Sequence, residues 1–145
     1  MLSDTEREKL KIFGFLVVKN VVTPQEIQIM RDEIDPRGKE AARYVRFESK
    51  EIGAGGRQLN VFGASTPFLA SVVEDDRLAG AAVKMFGELA WPSVGAHQFV
   101  GDSGWHYDRG SFDARGSNFI LYMEPVRGDS GTLRVVPGSH KQALS

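Results

Sequence analysis

Apolar and polar positions along the N-terminal half recur at helical spacing, interrupted by turn residues. SDTEREKLKIFG at the start predicts a short helix. Ser3 or Asp4 can cap it, Glu6 and Glu8 lie near its positive end, and Gly14 can end it. FLVVKNVV is apolar and β-branched, which predicts a strand. Thr23 as N-cap, Pro24 at the first helical position and Glu26 three residues after the cap form a capping box. Ile27, Met30 and Ile34 then make one apolar helix face that ends before Pro36. From Arg37 to Asn60 the pattern weakens, and GAGGR at 53–57 reads as a flexible loop without the Lys-Ser/Thr of a phosphate-binding P-loop. Thr66-Pro67 predicts another helix with the same cap chemistry, and Gly87 ends one begun near Asp76. LAGAAVKMF within it is small and apolar, so close packing is expected.

After Trp91 the period changes. HQFVGDSGWHYD, SNFILYMEPV and TLRVVPG are short β-rich runs separated by Gly, Asp and Ser. GDSG occurs at 101–104 and again at 128–131, an echo of turn chemistry and not a repeat. Helices first and strands second, with no linker or low-complexity segment, predict one α+β or helix-decorated β domain over 1–145. Its 1–90 part is expected to be helix-rich and its 91–145 part to hold the strands.

Composition narrows the function classes. The chain has 145 residues, 18 basic and 19 acidic side chains and a formal charge of −1. Without a basic stripe, nucleic acid is not an expected partner. With no cysteine, disulfides, thiolate metal sites and cysteine nucleophiles are excluded. MLSDTEREKLK has no apolar h-region of a secretory signal and no apolar run is long enough to span a bilayer, so a soluble cytoplasmic protein with no membrane partner is expected.

The candidate chemistry lies in GDSGWHYDRGS, residues 101–111. If WHYD is extended, His106 and Asp108 project to one side and Trp105 and Tyr107 to the other. Imidazole and carboxylate can fill neighbouring positions of an octahedral metal; two histidines and one carboxylate on one triangular face leave three positions open, the non-heme Fe(II) oxygenase arrangement. On spacing alone, such a pair is commoner as a surface hydrogen-bonded pair. Ser103 and Ser130 sit in the GDSG turns without the strand-turn-helix setting of a nucleophilic serine.

Three runs in order, GFLVVKNVVTPQEI, VGDSGWHYDRGS and YMEPVRGDSGTLRVVPGSHK, resemble the phytanoyl-CoA dioxygenase family of Fe(II)- and 2-oxoglutarate-dependent oxygenases. The Trp-His-x-Asp and Gly-x-Leu-x-Val-x-Pro-Gly-Ser-His runs are the more specific parts. The resemblance implies a double-stranded β-helix (jelly roll, cupin-like) with helices outside it. It implies oxidative decarboxylation of 2-oxoglutarate coupled to hydroxylation or a related oxidation of a small-molecule substrate by molecular oxygen. His106 and Asp108 match the family's first two metal ligands. Gln98, on the strand leading to them, and Tyr122 are candidates for cosubstrate contact, or else packing residues of a barrel wall.

The family's third ligand, a histidine, and its cosubstrate arginine lie on a later strand. The chain runs only five residues past His140, so it is expected to be an N-terminal piece of a longer oxygenase, with a natural short form or strand-swapped self-association through open edges as alternatives. His140 is expected to be a turn residue bonded to neighbouring backbone, and His97 a strand-face residue. Arg109, Arg115 and Arg134 are either attractors of an anionic substrate or solvated side chains. The rival to an oxygenase is a catalytically inactive β domain serving in binding or interaction.

Overall fold

A computed structural model describes residues 2–35, 45–49, 54–59, 63–87, 95–101, 104–107, 116–129 and 131–141. In chain order they form α1 (Asp4–Phe13), α2 (Pro24–Ile34), β1 (Val45–Ser49), β2 (Ala54–Leu59), α3 (Pro67–Glu74), α4 (Ala79–Phe86), β3 (Ala96–Val100) and a 3-10 turn at Ser139–Lys141.

The first two helices start as local chemistry dictates. Ser3 Oγ accepts from the Glu6 amide while the Glu6 carboxylate accepts from the Ser3 amide, closing a capping box. Thr23 and Glu26 repeat the arrangement at α2, with Pro24 at the first helical position. Each box satisfies amides that the helix itself leaves without a partner. Gly14 and Gly87 end α1 and α4 with φ of 80° and 81°, the left-handed conformation that glycine adopts at little cost.

α3 begins differently from its expected cap. Thr66 makes no side-chain cap; its buried Oγ1 accepts from the Gly63 amide at 3.0 Å. The first amides of α3, those of Phe68 and Leu69, donate instead to the two oxygens of Glu33 on α2, at 2.7 and 2.9 Å. One carboxylate thus caps α3 and ties it to α2. The apolar face of α2 completes the joint: Met30, Leu69 and Val72 are buried together, with Ile27, Ile34, Phe68, Leu121 and Met123 against them. Ala81 and Ala82 of α4 are buried, as their small size allows.

Arg77, between α3 and α4, fastens the same corner. Its guanidinium donates to Glu26 at 2.8 and 3.2 Å, to Asp75 at 2.7 and 2.9 Å and to the Val21 carbonyl at 2.9 Å. These bonds hold the Glu26 and Asp75 carboxyls at about 2, below the usual carboxylate range, the Arg77 hydrogen bonds being the largest cause in both.

The sheet is three-stranded and antiparallel, in the order β1-β2-β3. β2 contains most of the GAGGR run that sequence assigned to a loop. Gly56, with φ of 149°, stands in register between Phe47 and Phe99. Pairing on both sides outweighs the poor intrinsic strand preference of glycine. The reverse holds at FLVVKNVV: residues 15–22 form no strand. Asn20 takes φ of 58°, which no extended run can hold, and Val17 is 74% exposed. Among the described residues, those of the expected runs at 104–107, 117–126 and 132–138 are not in strands either, and the described sheet consists of β1, β2 and β3. Alternation survives at 119–124 even so: Phe119, Leu121 and Met123 are half-buried while Ile120, Tyr122 and Glu124 are exposed. The described helices α1 to α4 all fall within 1–90, together with β1 and β2.

Candidate functional site

β3 delivers the chain to the candidate metal-binding run. It ends at Val100, and Gly101, with φ of 95°, begins the turn that follows. In the described part of the next segment, Gly104–Tyr107, Trp105, His106 and Tyr107 are all exposed. His106 Nδ1 lies 2.7 Å from the Gly104 carbonyl oxygen. A carbonyl only accepts, so Nδ1 carries the hydrogen and, in the neutral ring, Nε2 carries the lone pair. Metal-ligating histidines are held in this way, with the second nitrogen donating to a carbonyl or carboxylate. His106 therefore fits a metal ligand in tautomer and exposure. Asp108 lies outside the described residues, as do Ser103, Arg109, Arg115 and Ser130. Among the described residues no three His, Asp or Glu side chains gather closely enough to hold a metal.

Trp105 has a partner that the sequence did not reveal. The Arg134 guanidinium carbon lies 5.4 Å from the centroid of its ring, a cation–π contact between residues 29 positions apart. Arg134, itself exposed, is thus engaged with an aromatic face. No periodicity or motif in the sequence announces such a pair.

Gln98 is exposed on β3, in register with Arg57 of β2, which is in register with Arg46 of β1. Two arginine positions therefore line up beside Gln98 across the sheet, an alignment invisible in the weak pattern of 37–60. His97 lies on the same strand, opposite Gln58, and burial pushes its imidazole below the usual histidine range.

Tyr122 spends its acceptor on structure: its hydroxyl receives the Leu133 amide at 3.0 Å. With Pro24, Ile27, Arg31 and Met123 it lines a shallow pocket of about 500 Å³ against α2. Arg31 and Glu124 pair at that pocket.

His140 is held by backbone, as a turn residue should be, but not by its sequence neighbours. Its Nε2 donates to the Lys11 carbonyl at 3.0 Å, across 129 residues, and the Gly138 amide donates to the Phe13 carbonyl at 2.8 Å. The PGSH turn is therefore docked on the C-terminal end of α1, whose last carbonyls lack helical partners.

No described helix is long and apolar enough to cross a membrane. The family model for phytanoyl-CoA dioxygenase (PhyH) matches residues 11–145. Ectoine dioxygenase of Bordetella bronchiseptica is 26% identical over 146 residues, covering 91% of this chain and 47% of the relative. Ectoine dioxygenase of Streptomyces coelicolor is 27% identical over 149 residues, covering 90% and 48%. The chain spans about half the length of the curated relatives it matches. No solved structure matches it. With a family model matching from α1 to the last residue, across β3, the Trp-His-x-Asp run and the docked PGSH turn, the chain belongs to the phytanoyl-CoA dioxygenase family.

Proposed function

We propose that the protein works as an Fe(II)- and 2-oxoglutarate-dependent dioxygenase that hydroxylates a small molecule, with His106 and Asp108 as two of the metal ligands. The family match over 11–145 carries this reading, and the tautomer of His106 supports it. The fold proposed with it is the double-stranded β-helix; the antiparallel sheet β1-β2-β3 and the alternating burial at 119–124 favour that architecture.

When bound, the metal and 2-oxoglutarate supply the oxidising chemistry, decarboxylating the cosubstrate as oxygen is reduced. The chain's own part is geometric. Gly104 fixes the His106 ring by accepting its Nδ1 hydrogen, which in the neutral ring leaves the lone pair on Nε2. Asp108, two residues on, is proposed to add the carboxylate, and Gln98 on β3 a polar contact to the cosubstrate. Tyr122 is the less favoured cosubstrate contact, since its hydroxyl already receives the Leu133 amide. The third ligand and the cosubstrate arginine of the family belong to a later strand and are outside the proposal.

Ectoine, named in the relatives, is the first compound to assay as prime substrate. The test is succinate formation from 2-oxoglutarate under oxygen with Fe(II), with and without ectoine. Turnover that disappears in His106→Ala and in Asp108→Ala supports the reading. Succinate production that persists in either variant refutes the ligand assignment.

A further inference from the structure

We propose that Arg134 is a positioning residue whose guanidinium holds the Trp105 ring and thereby fixes the backbone that presents His106. The inference rests on His106 being a metal ligand, as proposed above, and adds a residue from a distant segment to that site.

Three observations converge. The guanidinium carbon of Arg134 stands 5.4 Å from the Trp105 ring centroid, within the range in which a cation is attracted to the face of an indole. Trp105 is 63% exposed, so the contact does not come from general core packing. Trp105 is also covalently next to His106, whose Nδ1 bonds back to Gly104, so both flanks of the ring's backbone lead into the imidazole's own anchorage.

The arm that carries Arg134 is itself fixed on both sides. Before it, the Leu133 amide donates to Tyr122 Oη at 3.0 Å. After it, the Gly138 amide donates to the Phe13 carbonyl at 2.8 Å, and His140 Nε2 to the Lys11 carbonyl at 3.0 Å. A cation held at both ends of its segment can restrain a ring on another segment. A freely moving one would lose as much entropy as the contact returns. The path runs from the end of α1 through the PGSH turn and Arg134 to Trp105 and His106. It gives the PGSH turn, which carries no ligand itself, a mechanical link to the metal-binding run.

The experiment is anaerobic titration of the intact protein with cobalt(II) alone, followed by its visible absorption. Arg134→Met keeps length and removes charge, Arg134→Lys keeps a cation, Trp105→Phe keeps a weaker ring, and His106→Ala is the control for the site. Trp105 emission is read separately in a Trp91→Phe background, where it is the sole indole. The expected result is an apparent Kd for cobalt(II) raised about two- to fivefold by Arg134→Met, the range an exposed cation–π contact supports. Arg134→Lys should stay nearer wild type, Trp105→Phe should lie between, and Trp105 emission should shift in Arg134→Met. Binding that His106→Ala removes but Arg134→Met leaves unchanged overturns the positioning role while the ligand reading stands. Equal weakening by Met and Lys, with Trp105 emission unmoved, overturns it too, since the cation is then not the agent. Binding indifferent to His106→Ala refutes the ligand reading and this inference with it.

Discussion

Gly14 is constrained twice, by its backbone and by what lies over it. Its φ is 80°, and a Cβ built there would sit 2.2 Å from His140 Nδ1 and 2.6 Å from His140 Cγ. Gly87 has nearly the same φ, 81°, with nothing within 4 Å of such a Cβ. Gly87→Ala should therefore cost only the left-handed penalty, about 1–2 kcal/mol. Gly14→Ala should cost more, because the imidazole must leave its bond to Lys11. Urea denaturation of both variants checks the order. His140→Ala in the Gly14→Ala background should recover part of the loss, which a purely backbone effect could not produce. The sequence marked Gly14 as a helix end, and that much is local. That His140 would cover it was not legible, since their contact joins residues more than a hundred positions apart.

Among elements, the α2–α3 joint shows the same division. The capping box at Thr23 was readable because every partner lies within four residues, whereas at the first helix the sequence left Ser3 and Asp4 both open as the cap and the structure has Ser3. The cap of α3 was misread because its carboxylate comes from Glu33 on another helix. Glu33→Ala should destabilise the protein by about 1–2 kcal/mol, and Glu33→Gln, which keeps one acceptor oxygen, by less. Thermal unfolding with both variants tests the difference. Arg77 gives the corner a dependence on acidity. Glu26 and Asp75 are held at about 2, against ordinary values of 4.5 and 3.8. A carboxyl with a lowered pKa in the folded state contributes stability that is present above its unfolded value and is lost as pH falls through the folded value. Tm should thus decline between pH of about 5 and about 2. In Arg77→Gln that decline should be shallower, because both carboxyls then titrate nearer their unfolded values. An unchanged pH profile in this variant would show that the cluster does not contribute. Added salt should weaken the effect, as Arg77 is exposed and its two carboxylate partners are only half-buried.

At the scale of the whole molecule, the helices among the described residues follow the sequence expectation more closely than the described strands do. A helix closes its own hydrogen bonds, so Asp4–Phe13 and Pro24–Ile34 follow from caps and one apolar face. A strand is defined by a neighbour elsewhere in the chain. The glycine-rich 54–59 run pairs on both sides, whereas the β-branched 15–22 run does not. For the candidate site, what was legible is chemical: the His-x-Asp spacing that proposes it and the runs shared with the phytanoyl-CoA dioxygenase family. Its geometry was not, because the Trp105–Arg134 contact, the Gly104 anchor and the Arg46-Arg57-Gln98 register are products of tertiary placement. The most direct test of the oxygenase reading is anaerobic Fe(II) binding, with and without 2-oxoglutarate, by the wild type and by His106→Ala, Asp108→Ala and His140→Ala. The account predicts binding strengthened by 2-oxoglutarate, weakened roughly tenfold or more by either of the first two substitutions, and kept in His140→Ala, whose Nε2 is bound to Lys11. Binding that survives both His106→Ala and Asp108→Ala, or that is lost in His140→Ala, would contradict it.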